Sequence, residues 1–272
     1  PDSIDNAYTV AMWCKANLPI WYDLDEGKPK KGLKVRVKRT KVGKVKKDKY
    51  GYDLYGGKAK NLDYYPYEKP VLEGNEFCSD ARAMYLNCAA AAKPDNYIDL
   101  INNTNCNAVV VDIKDGVLAW PAETAKEWSP KSYKTAYTSR KKYKKGIDKL
   151  KETGVYMIGR IVVFNDPIYA KDHPEDCIKY GGQSTWPSAY SRDVWEYNVR
   201  LAQEAIREFG FNEIQFDYVR FPENSYDMSK SGKAKFRNKY NEEKGQAVQN
   251  FCFYAADQIH EAGAYFSVDV YS

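Results

Sequence analysis

From about residue 81 onward, the apolar positions fall into two alternating rhythms. "CNAVVVDIKD", "VYMIGRIVVF", "EIQFDYVRF" and "AYFSVDVYS" are short runs rich in β-branched and aromatic residues, the pattern of strands buried on at least one face. Between them lie segments with helical spacing. In "SRDVWEYNVRLAQEAIREFG", Val194, Tyr197, Leu201, Ala205 and Ile206 recur on one face. Ser191 is placed to cap the first turn and Gly210 to close the last. "SRKKYKKGIDKLKETG" ends in the same way at Gly154, and "EKGQAVQNFCFYAADQIHEAG" at Gly263. "YIDLINNTN" reads as a further helix, and "ARAMYLNCAAA" as a strand running into a helix start. Five strands alternating with helices predict βαβ units and a parallel sheet.

Strand parity then separates two kinds of parallel sheet. In "EIQFDYVRF", Glu213, Gln215, Asp217 and Val219 fall on one face and Ile214, Phe216 and Tyr218 on the other. A doubly wound sheet is covered by helices on both faces, where Glu-Gln-Asp would be hard to satisfy. A β/α barrel has a lumen face, and polar groups near its C-terminal mouth are where barrel chemistry sits. The other strands follow suit: Val110, Asp112 and Lys114 are in phase, as are Ile158, Arg160 and Val162, and Ser267, Asp269 and Tyr271. Three acids (Asp112, Asp217, Asp269) and two bases (Lys114, Arg160) are thus expected at one mouth, as a functional pocket. A barrel needs eight strands, roughly 100 residues more than the chain offers after the fifth, so the barrel is expected to be incomplete and the chain part of a longer protein.

The first 60 residues have another character. "LPIWYDL", "KVRVKRT" and "GYDLY" are short alternating runs separated by turn-rich stretches. They predict a small all-β module over 1–60, joined by a linker over 61–80 to the main domain over 81–272. The module resembles the small Src-homology-3-like barrels of bacterial surface proteins. Between Lys28 and Lys60 lie 14 Lys and Arg against Asp48 and Asp53, a local balance of +12 that leaves the rest of a +5 chain at −7. The asymmetry points to different partners for the two parts. An anionic cell-wall polymer suits the basic module better than nucleic acid, which is not expected, because lysines on a strand face ordinarily just solvate it.

Composition narrows the chemistry. Six scattered cysteines without C-x-x-C spacing and only two histidines argue against zinc and redox sites, so neither metal nor cofactor is expected and the thiols should be mostly free. No apolar run is long enough to span a bilayer. The chain begins at Pro1 without Met, and a removed export signal would leave no trace. No strand is followed by a phosphate-cradling Gly-rich turn, which disfavours a nucleotide-binding protein. The 24 Tyr and 6 Trp offer flat apolar faces with polar tips, suited to sugars and to cores alike.

"NAVVVDIKDG", "IGRIVVFNDPIYAKDHPE" and above all "GFNEIQFDYVRFPE" resemble the Putative glycosyl hydrolase domain family, over about Ala81 to Ser272. That resemblance implies a β/α barrel distantly similar to the α-amylase-like enzymes, a carbohydrate substrate, and an exported or cell-surface bacterial protein. It also implies that Asp217, on the fourth strand, takes the nucleophile position. Glycoside hydrolysis requires two carboxyl groups across the scissile bond. Asp269 is the first candidate for the acid, followed by Asp112 and Glu223, although the α-amylase-like pattern carries Glu where this chain has Asp269. Arg160, Lys114 and Gln215 are expected to hold sugar hydroxyls or a substrate carboxylate, Arg220 to pair with one of the acids, and Trp186 and Trp120 to stack on sugar rings at the rim. The alternative is a catalytically silent glycan- or wall-binding protein.

Overall fold

The β-branched runs form strands that pair in chain order, because each intervening helix returns the chain to the edge just vacated. In the computed structural model, residues 70–270 are described, with two short strand pairs, Leu24–Asp25 with Lys28–Pro29 and Lys46–Lys47 with Asp53–Leu54. The basic module, its Src-homology-3-like likeness and its wall-polymer partner otherwise lie outside the described residues, as do residues 61–69 of the linker.

Five strands build the sheet: β1 (Ala83–Leu86), β2 (Ala108–Asp115), β3 (Tyr156–Val162), β4 (Glu213–Asp217) and β5 (Tyr265–Val268). These five pair in parallel, in the order β1-β2-β3-β4-β5, and a two-residue strand, Val117–Leu118, folds back antiparallel on the end of β2. Among the described residues β1 and β5 remain the two edges, so the sheet is an open, barrel-like wall rather than a closed barrel. The main helices are α1 (Cys88–Ala92), α2 (Asp95–Asn102), α3 (Arg140–Lys151), α4 (Arg192–Phe209) and α5 (Lys244–Glu261). The Ser191 hydroxyl accepts from the Val194 N–H at the start of α4, and Gly210, at φ 68°, closes it in the left-handed conformation that a side chain resists.

The two faces of the sheet differ as their sequence alternation requires. Val109, Val111, Ile113, Met157, Ile161, Ile214, Phe216 and Phe266 point into one large core shared with the helices, where Phe216 stacks on Phe251 of α5 at 5.6 Å and meets Phe266 edge-on at 5.5 Å. Side chains of this size contribute about 1.5–3 kcal/mol each on burial. Helices α1 and α3 touch so closely that a Cβ on Gly146 would collide with the Ala91 carbonyl. On the opposite face, Ala108, Tyr156, Ile158 and Tyr265 form a smaller cluster at the N-terminal ends of the strands, covered by Leu72, Phe77 and Cys78. Asn75 pins this cover, donating to the carbonyls of Asn212 and Gly263 at 2.8 and 2.9 Å. That end is therefore plugged, and the polar positions of the same face gather at the C-terminal end. Among the described residues no helix is long and apolar enough to cross a membrane.

Candidate active site

At the C-terminal strand ends one guanidinium ties three acids together. Arg160, late on β3, stands in register between Asp112 of β2 and Gln215 of β4. Its Nε and Nη2 donate to Oδ2 of Asp217 at 2.8 and 2.6 Å. Its Nη1 donates to Asp112 at 2.7 Å and to Asp115 at 3.1 Å. Asp112, Arg160, Gln215 and Asp217 thus share the face opposite the helices, as parity requires. The second Asp217 oxygen accepts the Tyr218 N–H at 2.6 Å, so this carboxylate is aimed from both sides.

The acids differ in access. The Asp112 side chain is 2% exposed, Asp217 17% and Asp115 46%. Burial raises the pKa of Asp112, against the opposing pull of its hydrogen bonds from Tyr85 and Arg160. The Tyr85 hydroxyl donates to its Oδ2 at 2.5 Å; burial and the Asp112 carboxylate together push that phenol well above its usual range. Arg160 lies 5.6 Å across the Tyr85 ring and is driven further toward its charged form by its carboxylate partners, which outweigh its desolvation. Asp112 is thus an internal support, whereas Asp217 and Asp115 face the solvent.

Lys114 and Asp115 depart from the sequence expectation together. A β-bulge lies between Asp112 and Lys114, so that Lys114 aligns with Ile161, a helix-face residue. One extra residue inverts the facing of everything after it. Lys114 enters the helical layer, where its ammonium donates to Asp166 at 2.7 Å and Asn198 of α4 at 2.8 Å. Burial lowers its pKa, with Asp166 opposing. Asp115 turns toward Arg160 instead, at a tight hairpin through Gly116 (φ 66°). The Tyr143 hydroxyl of α3 donates to the Asp112 carbonyl at 2.9 Å beside the bulge. Lys114 is therefore not a mouth residue, and Asp115, which the alternation hides, is.

The remaining candidates divide between the site and the core. Strand β4 stops at Asp217 because Tyr218 is left-handed, at φ 53°, so Val219 drops out of the polar face and into the core. Asp269 follows β5 directly; its N–H donates to the Phe216 carbonyl and its carbonyl accepts from Val219, holding the exposed residue beside the end of β4. Arg220 donates to Glu223 at 3.3 Å, and its guanidinium lies 5.0 Å from the Tyr218 ring and 5.8 Å from that of Trp186. Trp186 comes from a hairpin, Cys177–Tyr180 with Gln183–Pro187, and reaches this corner half-buried. Trp120 does not reach the rim. It is fully buried, stacked on Tyr143 at 5.2 Å and edge-on to Phe209 at 4.5 Å. One grouping elsewhere, His173, Glu175 and Asp176, brings metal-ligand atoms within 4.8 Å of one another. Its atoms already serve Trp128, Ser191 and Tyr169 as hydrogen-bond partners.

A parallel sheet packed on helices, with carboxylates clustered at its C-terminal strand ends, defines a protein of the α/β class. Comparison with known families is more specific: residues 83–272 match the model described as "Putative glycosyl hydrolase domain", and the chain belongs to that family. A comparison with curated proteins gave no match. Among solved structures, a hypothetical protein from Ruminiclostridium thermocellum is 29% identical, with 69% of this chain covering 97% of that one at a TM-score of 0.56. A β-N-acetylhexosaminidase is similar at 12% identity, with 75% of this chain over 48% of that one and a TM-score of 0.53. A Flavobacterium johnsoniae chitobiase is similar at 13% identity, covering 69% of this chain and 31% of that one, at 0.51. This chain spans less than half the length of either enzyme, and the likeness to them is one of fold.

Proposed function

We propose that the strand-end cluster is the active site of a glycoside hydrolase acting on a polysaccharide or cell-wall glycan. The observation that carries the proposal is the Arg160 bridge, which assembles carboxylates from β2 and β4 on the lumen-type face in a chain of a glycosyl hydrolase family. Asp217 is the nucleophile or charge stabiliser. Its oxygens accept from Arg160 and from the Tyr218 N–H, an arrangement that suits a carboxylate acting in its charged form. Asp269, beside it at the end of the next strand, is the first candidate for the acid. Neighbouring strands are spaced about 4.8 Å apart, close to the roughly 5 Å carboxyl separation of retaining enzymes. Asp112 and Tyr85 position Arg160, and Gln215 lies within the same row for a sugar hydroxyl.

The test is turnover on a glycan panel by the parent chain and by Asp217→Asn and Asp269→Asn. Loss of a positioned acid or base costs about 10²–10⁴-fold in rate, with ligand binding retained. Equal turnover in all three proteins refutes the assignment. Glycan binding without turnover even in the parent chain would identify the silent binder instead.

A further inference from the structure

Building on the glycosidase reading, we infer that the preferred substrate carries free amino groups, as in a glucosamine-type glycan, and that uronic-acid glycans are excluded. The bulge after Asp112 is the starting point. It removes the Lys114 cation from the strand-end face and puts the Asp115 carboxylate there in its place. Among the described residues, the mouth then holds Asp112, Asp115, Asp217, Glu223 and Asp269 against Arg160 and Arg220, a formal balance of −3.

The cations are also engaged by carboxylates. The Nε, Nη1 and Nη2 of Arg160 all donate to carboxylates already, and Arg220 donates to Glu223. A sugar carboxylate entering here would face acids of its own sign and would have to compete with them for the two guanidinium groups. An ammonium group meets the opposite situation. Asp115 and Asp269 present exposed acceptor oxygens. The rings of Tyr85, 52% exposed, and of Tyr218 and Trp186 already draw the guanidinium groups of Arg160 and Arg220 to their faces, which marks this corner as one that attracts cations. Like-signed groups gathered at one end of a sheet add their fields in front of it, so the preference grows with each acid and weakens with salt.

The experiment compares binding and cleavage of three oligosaccharide probes of equal length: β-1,4-linked glucosamine, its fully N-acetylated counterpart, and oligogalacturonate. The parent chain and Asp115→Asn are both used; the residue is exposed, so the variant keeps its fold, checked by its melting curve. The glucosamine probe is expected to bind at least about tenfold more tightly than the acetylated one. That margin should shrink in Asp115→Asn and at high salt, and the uronate should not bind. Equal or better handling of the acetylated or uronate probe overturns the charge argument while leaving the glycosidase reading intact. A failure to bind or cleave any of the three overturns the amine preference, and overturns the glycosidase reading as well when the wider glycan panel also shows no turnover. Amine preference unchanged in Asp115→Asn removes Asp115 from the explanation and overturns the role given to the bulge.

Discussion

Replacing Arg160 with methionine probes the centre of the cluster in a way that geometry makes quantitative. The side chain is 13% exposed, and one of its partners, Asp112, is 2% exposed. Removing one member of a buried pair typically costs about 3–5 kcal/mol, because the other charge is left without compensation. Asp217 and Asp115 can recruit water in the variant, so most of the loss comes from Asp112, and a value near 3 kcal/mol follows. For a domain of this size that is a fall of roughly 6–12 °C in melting temperature. The loss also has a sign with pH. The folded pKa of Asp112 is already raised by burial, so its contribution to stability is greatest below the unfolded carboxylate range and is lost as pH rises through the folded value. Without Arg160 that value rises further. Arg160→Met should therefore be most damaged at neutral pH and recover relative to the parent as Asp112 takes up a proton in acid. Thermal unfolding at about pH 7 and about pH 4.5, with Asp112→Asn and the double variant alongside, measures the coupling. A loss below about 1 kcal/mol at neutral pH, or one equally large in acid, would show that the guanidinium does not serve the buried carboxylate.

Other consequences are independent of the proposed chemistry. Lys114→Met strands Asp166 against a 3%-exposed partner position and should cost about 3–5 kcal/mol in denaturant unfolding; Lys114→Met with Asp166→Asn should regain much of it, and a silent single variant refutes the pair's role. Gly146→Ala drives a methyl into the Ala91 carbonyl and should cost at least about 1–3 kcal/mol by urea midpoint, whereas an unchanged midpoint means that α1 and α3 are not in close contact. Burial depresses the His260 pKa to about 4, so stability is expected to be held above the ordinary histidine range and lost as pH falls from about 6.5 toward about 4. His260→Gln should flatten that part of the profile, and an NMR titration giving an unshifted histidine disproves the point.

The fold was legible wherever a residue's facing follows from simple alternation. Asp112, Arg160, Gln215 and Asp217 come together because each strand keeps its period of two up to those positions. Capping residues such as Ser191 and Gly210 mark their helix ends because their roles are local. Legibility fails where one residue breaks the period. Nothing in "VVVDIKDG" announces that the chain bulges after Asp112, since the bulge is held by distant partners: Tyr143 on α3, and Asp166 and Asn198 about Lys114. Asp115 was invisible for the same reason. Trp120 misled because a tryptophan beside a proline in a loop suits a rim as well as a core, and only the helices arriving from elsewhere bury it between Tyr143 and Phe209. Tyr85 sits in a strand that the pattern found, but its phenol matters only through a partner 27 positions away.

The backbone at Tyr218 sets stability against aim. A bulky side chain held at φ 53° stores about 1–3 kcal/mol that a glycine would release, yet that same twist directs the amide hydrogen onto the Asp217 carboxylate. Glycine there would harden the protein toward heat while letting the loop carrying Arg220 wander. Selection for melting temperature alone would therefore discard this tyrosine early, and its persistence in relatives of this chain would be a sign that orientation at the strand end outranks robustness.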